Sequence, residues 1–251
     1  GMKEALVYLV AITAAEVVHV TVGPLWGIVC HIIVLVALIL RSALADKPAN
    51  QQLLLSLALV PLVRIISLSM PLANIPPIWW YPIIYAPLLV AAWQVVRLQG
   101  YSLGQIGLNL KRIPIQLAVA LTGIVFGIGE YYILAEEAQM TELILQQTWF
   151  LSAFLLIVCT GFVEEVIFRG VIQRSAVQVF GWWGIIYVSV LFAVVHLIHH
   201  SLLDIGFVFV IGLFYGLVVK ETGSLFGVTL SHGITNIVLF LVAPVLFRAV
   251  Q

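Results

Sequence analysis

In the stretch Cys159-Thr160-Gly161-Phe162-Val163-Glu164-Glu165-Val166-Ile167-Phe168-Arg169-Gly170, two adjacent carboxylates follow an apolar run that begins at Trp149. A carboxylate in hydrocarbon costs several kcal/mol, so acidic residues inside membrane helices usually have a function. The pair therefore directs attention to this helix as the functional centre of the chain.

Helical geometry predicts different roles for the two carboxylates, because neighbouring side chains point about 100° apart. Glu165 precedes Arg169 by four residues, a spacing and order that favour an ion pair supporting the site. Glu164 has only Ile167 and Phe168 at the corresponding positions. Glu164 is therefore the carboxylate expected to carry out chemistry.

Composition places the whole chain in a lipid bilayer. Of its 251 residues, 63% are hydrophobic and 9% are charged, and the mean hydropathy is +1.18. These values exclude a soluble domain and indicate an all-α, polytopic bundle of about eight or nine transmembrane helices. The net charge is zero and the basic residues are scattered, so no nucleic-acid partner is expected.

Proline, glycine and charged residues divide the chain into nine apolar segments. The first two segments are short, so eight spans plus one interfacial or re-entrant helix is an open alternative. We divide the chain into N-terminal helices, residues 1–148, and a catalytic core, residues 149–251, within one integral-membrane domain. The candidate helices are Ala5–Val20, Leu25–Leu40, Leu53–Met70, Ile78–Leu98, Ile115–Ala135, Trp149–Val179, Trp182–Ile198, Ile205–Val219 and Leu225–Phe247.

The distribution of basic residues predicts the orientation. Nine of the eleven Lys and Arg residues fall in alternate loops, and one of these loops follows Arg169. The predicted loop 136–148 is acidic instead. Because basic loops stay in the cytoplasm, the N-terminus is expected there.

Arg64 is an intramembrane charge with Glu130 as one candidate partner. Two pairs of glycines with three residues between them, at 123 and 127 and at 212 and 216, indicate close helix packing.

Two later segments carry polar groups that complete a candidate site. Phe192 and His196 share one helical face, and His232 and Asn236 share another, each pair four residues apart. The break at Gly181 lies about midway between Glu164 and His196. An antiparallel hairpin turning there would place Glu164 and His196 at the same depth, roughly 24 Å from the turn.

These motifs resemble the CPBP intramembrane proteases, also called the CAAX protease and bacteriocin-processing or Abi family. Glu164-Glu165-x-x-x-Arg169, Phe192-x-x-x-His196 and His232-x-x-x-Asn236 match its three motifs in order and spacing. The resemblance implies an endopeptidase acting on a membrane-associated peptide or protein. Glu164 and His196 would activate water, His232 and Asn236 would stabilise the oxyanion, and Glu165, Arg169 and Phe192 would support the site.

The resemblance leaves several alternatives open. Glu164, His196 and His232 are candidate zinc ligands, but the pattern H-E-x-x-H is absent, and we expect a glutamate-type hydrolase without a metal cofactor. A small chain of this kind suggests a prokaryotic inner membrane, where a peptidase trimming sorting tails or leaders is expected rather than one cutting after a prenylated cysteine. A non-catalytic immunity or scaffold protein and a proton-coupled transporter are alternatives from other classes. Neither the substrate nor the oligomeric state follows from the sequence.

Overall fold

The computed structural model describes residues 1–145 and 148–248, and within these ranges every regular element is a helix. The predicted all-α class is therefore confirmed. The chain divides into two compact units, each assembled from three separate stretches. Unit 1 comprises Gly1–Met70, Leu88–Ser102 and Ile167–Leu217, and unit 2 comprises Pro71–Pro87, Leu103–Val166 and Val218–Gln251. The functional division at residue 148 stays a prediction.

Twelve α-helices occur in the described ranges, several of them consecutive parts of one longer helix. They are α1 Met2–Thr21, α2 Pro24–Ala43, α3 Pro48–Leu57, α4 Leu59–Ser69, α5 Trp80–Leu98, α6 Ile113–Leu145, α7 Trp149–Leu155, α8 Gln173–Phe180, α9 Trp183–Val194, α10 Leu202–Thr222, α11 Phe226–Ile237 and α12 Ala243–Arg248.

Eight helices in the described part of the chain are long and apolar enough to cross a membrane, and Trp183–His199 is a shorter apolar helix. The predicted number of eight or nine helices is confirmed. The sequence suggested that the first two helices are the short ones, but each of them has 20 residues. The short helix is the seventh, since α9 ends at Val194 and continues only as a turn of 3₁₀-helix, Leu197–His199.

One further boundary differs from the sequence prediction. The predicted acidic loop 136–148 is helical up to Leu145, where α6 ends, beyond non-helical backbone angles at Leu134. Residues 146 and 147 of this loop lie outside the described ranges. Arg169 lies within the predicted helix Trp149–Val179, which the structure shows as the continuous helix Trp149–Phe180, and it is only 2% exposed. The orientation stays a prediction.

The helix that carries the two carboxylates has π-helical geometry on both sides of them. One π-helical segment spans Leu156–Val163 and a second spans Val166–Ile172. Hydrogen bonds from residue i to i+5 are rare in proteins and occur frequently at functional sites. A third segment, Val238–Val242, begins two residues after Asn236. The π-helical segments therefore accompany two of the three sequence motifs.

A buried charge cluster joins three helices of unit 1. Glu16 of α1 accepts hydrogen bonds from Arg64 of α4 at 2.6 and 3.1 Å, and its Oε1 lies 2.8 Å from Nε2 of His31 of α2. Glu16 and His31 are fully buried. Arg64 thus pairs with Glu16 rather than with the candidate partner Glu130, and the cluster compensates its own charge.

Candidate active site

Glu164 is held by a tyrosine from another helix of unit 2. The Tyr85 hydroxyl of α5 donates a hydrogen bond of 2.6 Å to Glu164 Oε1. This distance lies within the range for a hydroxyl donating to a carboxylate, which is stronger than a bond between neutral groups. The Glu164 side chain retains 20% of its exposure. The carboxylate is therefore oriented by the protein and also accessible.

His232 of α11 lies between the two carboxylates. Its Nδ1 lies 2.8 Å from Oε1 of Glu165, which is fully buried. Its Nε2 faces Glu164 Oε2 at 3.8 Å, beyond hydrogen-bond distance. Because Glu165 accepts a hydrogen bond from Nδ1–H, the imidazole is held with Nε2 towards Glu164. Glu165 therefore orients His232, a contact that sequence spacing did not predict.

Asn236 is anchored to the helix that carries Glu164. Its Nδ2 donates a hydrogen bond of 2.8 Å to Thr160 Oγ1, and the Thr160 hydroxyl in turn donates to the carbonyl of Leu156. An amide nitrogen has two donor hydrogens, so this bond fixes the Asn236 side chain and uses one of them. The arrangement brings Glu164, Glu165, His232 and Asn236 together within unit 2.

Glycines allow α11 to approach its neighbours closely. A Cβ added at Gly161 would lie 2.7 Å from the carbonyl oxygen of Thr229, and one added at Gly127 would lie 2.6 Å from that of Thr235. On α11 itself, a Cβ at Gly233 would lie 2.8 Å from Ile157 Cα. These distances are shorter than real contacts, so a larger residue would displace the helix that carries His232.

Arg169 and Phe192, the predicted supporting residues, pack together in unit 1. The Arg169 guanidinium carbon lies 4.1 Å from the centre of the Phe192 ring and 5.7 Å from that of Tyr215. A Cβ added at Gly212 would lie 3.1 Å from Arg169 Nη2. Gly212 therefore leaves room for a buried guanidinium, in addition to the helix packing expected from its spacing. The predicted ion pair between Glu165 and Arg169 stays a prediction.

His196 follows the end of α9 rather than lying on a continuous helix. Its backbone angles are φ −92° and ψ 4°, and its Nδ1 lies 2.7 Å from the carbonyl oxygen of Phe192. A ring nitrogen that faces a carbonyl must carry the proton, so Nδ1 is the donor of this hydrogen bond. His196 belongs to unit 1 and Glu164 to unit 2, so their predicted match in depth stays a prediction.

Zinc is the metal for which Glu164, His196 and His232 are the candidate ligands. Among the residues that the structure describes, no group of three or more His, Cys, Asp and Glu side chains is arranged to hold a metal ion. Within unit 2 the two candidate donors are Glu164 Oε2 and His232 Nε2, and a catalytic zinc requires three protein ligands. The third candidate ligand, His196, belongs to unit 1, and the expected absence of a metal cofactor stays a prediction.

Titratable side chains held by hydrogen bonds within a polytopic helix bundle form an arrangement suited to acid–base chemistry. Residues 145–238, about a third of the chain, match the family model described as type II CAAX prenyl endopeptidase Rce1-like. This stretch contains all three sequence motifs. The resemblance to the CPBP family is thereby confirmed. No curated protein and no solved structure matches the chain.

Sequence reasoning missed two residues of the site. Thr160 precedes Glu164 by four residues, so the helical spacing used for Glu165 and Arg169 would have indicated it. Tyr85 lies 79 residues before Glu164 on another helix. No local pattern connects them, and only packing of α5 brings its hydroxyl to the carboxylate.

Proposed function

We propose that this protein is an intramembrane endopeptidase in which Glu164 activates water for hydrolysis of a peptide bond. The observation that carries the proposal is the position of His232 between the two carboxylates, 2.8 Å from Glu165 and 3.8 Å from Glu164. Glu165 fixes the ring, and Glu164 remains partly exposed at its other side. A fixed imidazole beside an accessible carboxylate is suited to acid–base chemistry.

In the proposed reaction Glu164 removes a proton from water as the water oxygen bonds to the carbonyl carbon of the substrate. His196, carried over from the family resemblance, orients that water. The resulting oxyanion accepts hydrogen bonds from protonated His232 Nε2 and from the second N–H of Asn236. When the C–N bond breaks, Glu164 gives its proton to the leaving amine. Water is thus divided between the new carboxylate and the new amine.

The substrate class follows from the location of the site. Glu164, His232 and Asn236 lie on helices long enough to span a bilayer, so the peptide must approach from the membrane or its surface. The matching family model is described as a prenyl endopeptidase, which makes a prenylated C-terminal peptide one candidate. A trimmed sorting tail or leader without a lipid is the other.

We propose that hydrolysis proceeds without a metal. Glu165 holds His232 Nδ1, and Thr160 holds Asn236, which supports a role of the two side chains as hydrogen-bond donors rather than metal ligands. Elemental analysis of the purified protein is expected to find no stoichiometric zinc. About one zinc per chain, with activity lost on chelation and restored by zinc alone, would contradict this mechanism.

The test uses purified protein in liposomes with two internally quenched peptides. One ends in a farnesylated cysteine followed by three residues, and the other has serine in place of that cysteine. Wild-type protein is expected to cleave at least one peptide, and Glu164→Gln is expected to cleave neither while keeping its thermal stability. Full activity of Glu164→Gln would contradict the proposed role of Glu164. No cleavage of either peptide by wild type would favour a non-catalytic protein or a transporter.

A further inference from the structure

Tyr85 lies where α5 packs against the helix that carries Glu164. Its ring contacts a buried cluster, as does the ring of Tyr81 one turn earlier. The cluster consists of Ile78, Leu155, Leu156, Cys159 and Leu241. Aromatic rings held by such packing have little freedom to rotate, so the hydroxyl of Tyr85 is presented at a defined position.

The hydrogen bond from Tyr85 divides the two oxygens of Glu164 into different environments. Oε1 accepts the tyrosine hydroxyl at 2.6 Å, whereas Oε2 faces His232 Nε2 at 3.8 Å. Without this bond the terminal carboxylate torsion is broad, because rotation about the last bond of a glutamate has no sharp minima. The hydrogen bond from Tyr85 therefore orients the carboxylate plane, with one oxygen held and the other facing the imidazole.

We propose that Tyr85 is a positioning residue for hydrolysis: it holds Glu164 Oε1 so that Oε2 is directed to the reacting water beside His232. This inference rests on the proposed function of Glu164. Tyr85 acts through the carboxylate and does not contact the substrate. Its removal should therefore lower kcat and leave KM unchanged, because binding of the peptide does not involve the hydroxyl.

Tyr81 provides a matched control. It contacts the same cluster as Tyr85 and lies on the same helix, but the donor to Glu164 is Tyr85. Tyr85→Phe and Tyr81→Phe each remove one hydroxyl from this region and retain the ring. A difference between the two variants therefore reports the hydrogen bond rather than the packing.

The first measurement is infrared spectroscopy of the full chain in liposomes. The carboxyl band of Glu164 is isolated by subtracting the spectrum of Glu164→Gln from that of wild type, and likewise within each Tyr→Phe background. Loss of a hydrogen bond changes the carboxyl stretching frequency. The band is expected to move in Tyr85→Phe and to stay in place in Tyr81→Phe. An unmoved band in Tyr85→Phe would overturn the inference without requiring any substrate.

The second measurement is steady-state kinetics with the quenched peptides. Tyr85→Phe is expected to lower kcat by ~10- to ~100-fold, the range for losing a hydrogen bond to a charged group, with KM within about twofold of wild type. Tyr81→Phe should match wild type. If Glu164→Gln is inactive but Tyr85→Phe keeps full kcat, the inference fails and the proposed function stands. If Glu164→Gln is active, the proposed function fails, whatever the infrared band shows.

Discussion

In the described part of the chain, two clusters each combine a buried carboxylate with a histidine, and their surroundings differ. In unit 1, Glu16 is fully buried and meets the Arg64 guanidinium with both of its oxygens, at 2.6 and 3.1 Å. In unit 2, Glu164 is partly exposed, accepts a hydrogen bond from a neutral tyrosine and faces His232 at 3.8 Å. The first cluster neutralises its charge internally, whereas the second presents a carboxylate next to an imidazole.

This difference separates a structural charge from a reactive one. A carboxylate that shares two hydrogen bonds with a guanidinium is a poor base, because protonating it would leave the cation unpaired. A carboxylate held at one oxygen by a hydroxyl keeps its orientation without that penalty. Glu16 is accordingly expected to stabilise the fold, and Glu164 to take part in catalysis.

The largest expected effect is on the reactive carboxylate. Glu164→Gln should lower kcat by ~10²- to ~10⁴-fold, because an amide does not remove a proton from water. Its thermal unfolding midpoint in detergent should match that of wild type. The quenched peptide cleaved by wild type provides the assay, and an equal loss of activity in Glu16→Gln would remove the distinction between the two clusters.

The opposite pattern is expected at the structural carboxylate. Glu16→Gln leaves the Arg64 charge buried without its counterion, which should reduce stability by about 3 to 5 kcal/mol. Thermal unfolding measures the loss, and kcat of the folded protein should change by less than about twofold. The double variant Glu16→Gln, Arg64→Met removes both charges and should recover most of the lost stability. Failure to recover would mean that Glu16 has a role other than pairing.

Glu165 tests how strongly His232 depends on its orientation. Glu165→Gln replaces the acceptor of the 2.8 Å bond from His232 Nδ1 with an uncharged amide. We expect kcat to fall by ~10- to ~100-fold, the usual effect of losing a group that orients a histidine. The spacing of Glu165 to Arg169 predicts instead a role mainly in stability. A stability loss with unchanged kcat would favour this ion pair as the role of Glu165.

The smallest effect is expected at Thr160, which acts on Asn236 alone. Thr160→Val preserves side-chain shape and removes the acceptor of the 2.8 Å bond from Asn236. Because Asn236 can still reach the oxyanion in part of its conformations, kcat should fall by only about threefold to tenfold. Asn236→Ala should cost more, ~10²- to ~10³-fold, as expected for an oxyanion donor. Thr160→Val as damaging as Asn236→Ala would indicate a direct role for the hydroxyl.

Much of the fold was predictable because the relevant patterns are local. Runs of about twenty apolar residues require a spanning helix, since every backbone hydrogen bond must be made within the segment. The sequence did not predict that α9 ends at Val194, before His196. The helix remains apolar up to its end, and its composition shows no boundary between these two residues. The π-helical segments on both sides of Glu164 and Glu165 also left no mark that a period of 3.6 residues would detect.

The sequence by itself determined that the chain is an all-helical membrane protein and that Glu164, His196, His232 and Asn236 are the candidate reactive groups. It did so because apolar length and i, i+4 spacing depend only on neighbouring residues. Only the tertiary structure decided which side chains meet the carboxylates of Glu16, Glu164 and Glu165. His232 meets Glu165 across 67 residues of sequence, Tyr85 meets Glu164 across 79, and Arg64 meets Glu16 across 48. Such pairs form only when separate helices pack, and their chemistry follows from that packing.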